Sequence, residues 1–272
     1  MRRTLLLTTI LLGVSCGLAA ADGGGPAPGV SFGAPGVLGP RAALRYVALD
    51  APRGTTVAAI RVRGGSVVRW KYLHGSFGLP SVAWDGSAGG LARNGRRLVL
   101  ASPAGYGSTV TRFVILDPRT FKVRFRLLLR GAFAFDAISP GGSLMYLIQY
   151  TGTPNDGRYA VRVLNLNTRR LYAGSLVDRR EPDEKMTGLA VTRAESSEGA
   201  WAYTLYSRPG KRAFVHALDT VHRRAFCVDL PWRNPANWIS LVKMRVRSHE
   251  LLLRRSGKTI ARMDTTSFEV SR

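Results

Sequence analysis

Read as a string of apolar and polar positions, the chain from about Arg41 onward alternates over short runs and never settles into a helical period. The clearest runs are Arg97–Ala101 (RLVLA), Arg112–Leu116 (RFVIL), Lys122–Leu129 (KVRFRLLL), Leu144–Tyr150 (LMYLIQY), Tyr159–Leu166 (YAVRVLNL) and Trp201–Tyr206 (WAYTLY). Turns rich in Gly, Pro, Asn and Asp divide them. In Lys122–Leu129 the basic groups fall on one face and Val123, Phe125 and Leu127 on the other, the pattern of a half-buried strand.

The runs recur. VILDPRTFKV, RVLNLNTRRL, HALDTVHRRA and ARMDTTSFEV each read as a strand, an Asp or Asn, three turn-forming residues and a second strand. The anchors are Asp117, Asn165, Asp219 and Asp264, and a degenerate earlier copy, IRVRGGSVVRW, has Arg63 in that place. Spacings are 54, 48, 54 and 45 residues. An Asp or Asn suits the position because its side chain bonds backbone just ahead of it. A second landmark precedes most anchors: a Gly-containing turn entering a strand, at Asn94-Gly95, Gly141-Gly142 and Glu198-Gly199. A period of ~40–50 residues holding four short strands predicts a propeller blade. Blades bury both faces only by packing around an axis.

The phrases FVILDPRTFKV, AISPGGSLMYLI and FVHALDTVHRRAFCVDL make residues 41–272 resemble secreted bacterial β-propellers of the WD40-like or YVTN-like group. The resemblance implies an all-β propeller of about five four-stranded blades, with six as the alternative. No YVTN tetrapeptide or clear WD pair is present, and five repeats are fewer than the seven usual in that group. The first repeat, near Arg45, lacks an evident innermost strand, and the N-terminal strand is expected to complete the last blade.

The N-terminus changes the address. Arg2 and Arg3, the apolar Leu5–Leu18 and the small Ala19-Ala20-Ala21 are the three parts of a secretory signal peptide, residues 1–21. The apolar run is too short to span ~30 Å of hydrocarbon comfortably. The mature chain is expected to begin near Asp22 without a transmembrane segment. Residues 22–40 (DGGGPAPGVSFGAPGVLGP) read as a flexible linker before the 41–272 domain. The competing address is a lipoprotein anchored at Cys16, with that linker as its tether. After cleavage at Ala21 only Cys227 remains, so no intramolecular disulfide forms. Its run, Ala225-Phe226-Cys227-Val228, reads as a buried strand.

Charge adds one more property. Lys and Arg number 40 against 17 Asp and Glu, a formal charge of +23, and 45% of residues are hydrophobic. Such a charge draws anions, though the basic residues are dispersed rather than gathered in a tail, as background composition also produces. Nucleic acid fits an exported chain poorly, even with Trp70 and Tyr72 among Arg63, Arg69 and Lys71.

Candidate chemistry is sparse. Propellers bind ligands at the axis, and the expected inner strands Ser81–Trp84, Ala132–Ile138 and Leu189–Arg193 direct Asp85, Asp136 and Arg193 there. Asp136 stands alone in an apolar strand, AFAFDAIS, where a carboxylate either ties blades together or serves a site. His216 alternates with apolar neighbours and is placed on the opposite side from them. None of the four histidines forms a close-spaced metal pair. Residues 178–184 (DRREPDE) gather Asp178, Glu181, Asp183 and Glu184 as a weak calcium candidate; a loop whose acids pair with nearby arginines is the plainer reading. No Gly-x-Ser-x-Gly elbow or phosphate loop is present.

Two function classes follow. One is a non-catalytic binding or scaffold module of the cell envelope that needs no cofactor and engages an anionic polymer or acidic partner protein. The other is a propeller hydrolase, such as a lactonase-like enzyme, with a metal at the axis. The binding module is preferred, because Asp85 and Asp136 alone do not make a metal site.

Overall fold

The computed structural model describes residues 29–155, 157–208, 210–233 and 238–272. The expected signal peptide and Cys16 lie outside them. Strand β1 (Gly29–Ser31) opens the fold. The first blade is β2 (Val37–Leu38), β3 (Leu44–Ala51), β4 (Gly54–Arg61) and β5 (Val67–His74). Strand β6 (Leu79–Ser81) then pairs with β1 in a two-stranded sheet. The second blade is β7 (Leu98–Ala101), β8 (Val110–Leu116) and β9 (Val123–Arg130), with Leu91 bridging Leu98 on its inner side. The third is β10 (Phe133–Ile138), β11 (Leu144–Tyr150), β12 (Tyr159–Asn165) and β13 (Arg170–Leu171). The fourth is β14 (Leu189–Glu195), β15 (Trp201–Ser207), β16 (Arg212–Asp219) and β17 (Arg224–Arg233). The fifth is β18 (Val242–Arg247), β19 (Glu250–Arg255), β20 (Lys258–Asp264) and β21 (Val270–Ser271). Every pairing of named strands is antiparallel. The fold is an all-β propeller of five blades.

Each repeated sequence feature has a backbone cause. The side-chain oxygens of Asp117, Asn165, Asp219 and Asp264 accept N–H groups two and three residues on, at 2.7–3.3 Å. Four residues after each anchor the chain turns left-handed, at Phe121, Arg169, Arg223 and Phe268. That residue reaches back to the preceding blade. Phe121 meets Tyr46, Arg169 lies over Phe125, Arg223 over Tyr172, and Phe268 against Phe226. The Gly turns repeat as closely: Gly39, Ala92, Ser139 and Ser196 each donate N–H to the carbonyl five residues on.

The first copy falls in a different register from the expected one. Arg61 N–H donates to Ser66 O, as Asp117 N–H does to Lys122 O, and Gly65 takes the left-handed place of Phe121. The anchor equivalent is therefore Arg61, not Arg63. Having no side-chain acceptor there, the turn uses Gly64 and Gly65, both at positive φ, instead.

Three other expectations are corrected. The innermost strand of the first blade is β2, which lies with β1 inside residues 22–40, the stretch that composition assigned to a flexible linker. Gly and Pro there shape a close approach: a Cβ on Gly36 would collide with the Tyr46 carbonyl. The last blade is closed by its own β21 and not by the N-terminal strand. Ser81–Trp84 is no inner strand of the second blade; Trp84 and Asp85 N–H instead donate to Ala190 and Val191 O of β14.

The core is a series of seams. Buried clusters join the first blade to the second, the second to the third, the third to the fourth and the fourth to the fifth. Among the described residues no such cluster joins the fifth to the first. Two threonines lock blade links in the same way. Thr55 Oγ1 donates to Gly75 O and accepts Phe77 N–H; Thr111 Oγ1 does the same with Gly131 and Phe133.

Candidate functional site

The inner strands of the first four blades converge on a narrow cavity of about 90 Å³, bounded by Leu38, Leu91, Ile138 and Glu195. Beneath it lies the buried pair Asp136–Arg193. Strand β10 is irregular in register between Phe135 and Ala137, a bulge that takes Asp136 out of the ladder. Arg193 Nη2 then pairs with Asp136 Oδ1, and its Nη1 donates to the freed Asp136 carbonyl at 2.7 Å. The two side chains are 4% and 3% exposed. Sequence analysis singled out both residues, and the structure brings them together as a tie between the third and fourth blades.

Glu195, which the sequence did not flag, stands at the mouth of the cavity, open to solvent on one side and walled by protein on the others. Desolvation raises its pKa, with Arg193 and Arg93 opposing and Asp136 reinforcing the shift. Its signal was hard to see: it closes β14, where an exposed acid is unremarkable.

Asp85 lies apart from the Asp136–Arg193 pair. It accepts from Ser87, from Thr192 Oγ1 at 2.7 Å and from Lys243 Nζ at 3.0 Å, tying the 83–87 turn to the fourth and fifth blades. Desolvation pushes its carboxyl upward, but these donors outweigh it and hold the pKa below the usual value. His216 is buried rather than turned outward, since both faces of β16 are covered. Cross-strand register sets it opposite Cys227, with Nδ1 3.8 Å from Sγ. Eleven residues separate the two along the chain, and sheet pairing alone makes them adjacent. The adjacency does not make a nucleophile. Burial, reinforced by Glu184 and Asp178, pushes the thiol well up, and burial pushes the imidazole down. Both stay neutral, the opposite of an activated thiolate.

The acids of residues 178–184 are largely committed to arginines and backbone. Asp178, buried, binds Arg180 through both oxygens and accepts Cys227 N–H at 2.8 Å. Glu184 pairs with Arg208 at 2.9 Å. Glu181 and Asp183 are exposed, and Glu181 is raised chiefly by the charge of Glu184. Among the described residues no three His, Cys, Asp or Glu gather as a metal-holding group.

The concentration of charge lies elsewhere. Strand parity puts the Gly turns and the anchor turns at the same end of every blade. In the first three blades that end carries Arg41, Arg63, Arg93, Arg96, Arg119 and Arg169, all exposed, with Asp117 as the acid among them. In the fourth and fifth blades it also carries Glu195, Glu198, Glu250 and Glu269. Between the second and third blades the end opens into a cleft of about 420 Å³ lined by Arg96, Arg97, Arg119, Arg124, Asn94 and Asp117. These arginines seemed dispersed in the sequence. The available signal was the landmarks themselves, since Arg97 directly follows one turn and Arg119 lies in another.

No family model and no curated protein matches the chain. Solved structures do. The chain is similar to hydrazine synthase from Kuenenia stuttgartiensis at 13% identity and TM-score 0.51, over 85% of this chain and 71% of that one. It is also similar to the β-propeller domain of Cps50 (Swd1) from Myceliophteria thermophila, at 12% identity and TM-score 0.49, over 88% and 67%. A third is TolB from Acinetobacter baumannii, at 11% identity and TM-score 0.45, over 86% of this chain. This chain spans about half of TolB's length. At such identity the likeness is one of fold. Function has to be argued from the residues of this chain.

Proposed function

We propose that this chain is an exported β-propeller binding module that holds an anionic polymer or acidic partner in the cell envelope through the turn end of its first three blades. The observation that carries the reading is the charge imbalance of that end, where exposed arginines of three successive blades face Asp117 as their acid. Backbone rigidity supports it, because these arginines stand on or beside hydrogen-bonded turns, which leaves only their side chains to be ordered on binding. Export rests on Arg2, Arg3, the apolar Leu5–Leu18 and Ala19–Ala21. No described helix is long and apolar enough to cross a membrane.

The test is retention of the full chain on surfaces coated with polyphosphate or polyglutamate. Retention is expected at low salt and is lost near ~0.5 M, where the screening length falls to roughly 4 Å. Replacing Arg41, Arg63 and Arg169 together by Gln should shift elution to lower salt. Replacing Arg254, Arg255 and Lys258, at the other end of the fifth blade, should shift it far less. Salt-insensitive retention, or equal shifts from the two sets, would overturn the reading. The two coatings separate a phosphate-bearing from a carboxylate-bearing partner.

A further inference from the structure

The cleft between the second and third blades has features that a generally basic surface does not explain. Its one acid is already saturated. Asp117 Oδ1 accepts the N–H groups of Arg119 and Thr120, and Oδ2 binds Arg124 Nη2 at 2.6 Å. Among the described residues three guanidinium groups of the cleft have no carboxylate partner: Arg96, Arg97 and Arg119. Arg97 is the telling one. Its Nη2 donates to Asn167 Oδ1 at 2.7 Å, while its Nη1 is buried with no acceptor among the described residues. A buried donor left unpaired costs about 1–3 kcal/mol, so the position is poor for stability alone.

The repeat shows what stability alone selects there. Arg97 lies five residues after Ala92, whose N–H donates to the Arg97 carbonyl; the equivalents in the first, third and fourth blades are Leu44, Leu144 and Trp201. Arg97 therefore replaces side chains that are apolar or aromatic in those blades. Arg124 fills the one-residue register irregularity before Phe125 in β9. The walls are also fixed. Asn94 Nδ2 donates to Gly141 O at 2.8 Å, and Asn94 N–H donates to Pro140 O at 3.1 Å. A Cβ on Gly142 would press on the Arg97 stem at 3.2 Å, so glycine leaves that stem its path.

We propose that this cleft is a binding site for a phosphomonoester group, with Arg96, Arg97 and Arg119 closing on its oxygens. A phosphomonoester carries about −1.5 to −2 charge and three strong acceptor oxygens, which suits three guanidinium groups that no described carboxylate neutralises. A carboxylate supplies one charge and two oxygens. The cleft is larger than a phosphate alone and leaves room for the group that bears it. The site rests on the reading of the turn end as an anion-binding surface, and narrows it to one place and one chemistry.

The experiment titrates the full chain with glucose 6-phosphate, and separately with inorganic phosphate and acetate, at constant ionic strength. Saturable binding of glucose 6-phosphate is expected, at least tenfold tighter than acetate. It should strengthen from pH 5 to pH 7.5 as the phosphate loses its second proton near pH 6. Arg97→Gln and Arg119→Gln should each weaken it tenfold or more, while Arg63→Gln on the first blade should leave it within twofold. Arg119 is exposed and has no acidic partner among the described residues, so its variant tests the site even where Arg97→Gln fails to fold. Tighter phosphate than glucose 6-phosphate binding assigns the site to the free ion within the same chemistry. Absence of saturation, equal affinity for acetate, or an equal effect of Arg63→Gln overturns the proposal. Polymer retention that survives Arg97→Gln with Arg119→Gln, together with lost phosphomonoester binding, supports the cleft as separate from the wider surface. Equal elution shifts from the two charge sets, with the phosphomonoester still bound saturably, refer failure to the wider surface alone.

Discussion

Arg193→Met removes one member of an ion pair whose side chains are 4% and 3% exposed. The Asp136 carboxylate then stays in the seam between the third and fourth blades, among Ala134, Tyr206 and His216, without its countercharge. Breaking a buried pair from one side costs about 3–5 kcal/mol, because the surviving charge keeps its desolvation penalty. A domain has roughly 5–15 kcal/mol in total, so the single variant should lose about a fifth or more of its stability. Arg193→Met with Asp136→Leu removes both charges, and such apolar replacements are often neutral or stabilising by about 1–4 kcal/mol. Urea unfolding followed by tryptophan fluorescence and circular dichroism measures Arg193→Met, Asp136→Leu and the double variant, and the two probes also check for a single transition. The double variant should recover most of the loss. A cost below about 1 kcal/mol for Arg193→Met, or a double variant equal to the sum of the singles, would show that the pair does not tie the seam.

Two further outcomes follow from the same geometry. Thr111→Val keeps the shape but strands Gly131 O and Phe133 N–H, and should cost about 1–3 kcal/mol in urea unfolding, whereas Thr111→Ser should cost much less; equal costs would refer the effect to packing. Acid should act through the turn and loop carboxylates. Desolvation pushes Asp219 and Asp178 upward, but N–H groups and the Arg224 and Arg180 guanidinium groups prevail and hold both below the unfolded value of about 3.9. A pKa depressed by folding gives stability that is fully present above about pH 4 and is lost as pH falls through the folded value. Asp219→Asn with Asp178→Asn should therefore flatten the acid limb of the urea midpoint between about pH 4 and pH 2; an unchanged limb refutes the assignment.

What the sequence made legible was whatever the backbone repeats. The anchors were visible because an Asp or Asn side chain is needed to satisfy two turn N–H groups, and that need recurs in four blades. The first blade was misaligned by two residues because Gly64 and Gly65 solve the same turn with backbone freedom and leave no side-chain mark. Its inner strand was missed because Val37–Leu38 is two residues long and set among Gly and Pro. The Thr55 and Thr111 locks do carry a sequence signal, a threonine with Gly-x-Phe beginning twenty residues on, but it occurs in only two blades. Asp136 and Arg193 were legible one at a time, as charges in apolar strands. Their partnership depends on a bulge that local sequence does not announce. The contact of His216 with Cys227 comes from register between strands and has no local pattern at all.

Repetition also separates structural residues from candidates for function. Asp219 holds its turn much as Asp117 does, and such recurrence has a sufficient cause in the fold. Departures from the repeat do not. Leucine at the position of Arg97 would pack half-buried, as Leu44 and Leu144 do in neighbouring blades, and would leave no stranded donor. The aromatic that supports the next blade's turn is kept in the second blade, where Arg169 lies over Phe125 as Arg223 does over Tyr172 and Phe268 against Phe226. Arg97 is the departure, and it stands in a cleft that three further arginines line. A departure that strands a buried donor needs a cause outside the fold. An oxyanion received between the arginines supplies that cause, and it places function on the turn end of the propeller rather than in the sealed pair at the axis.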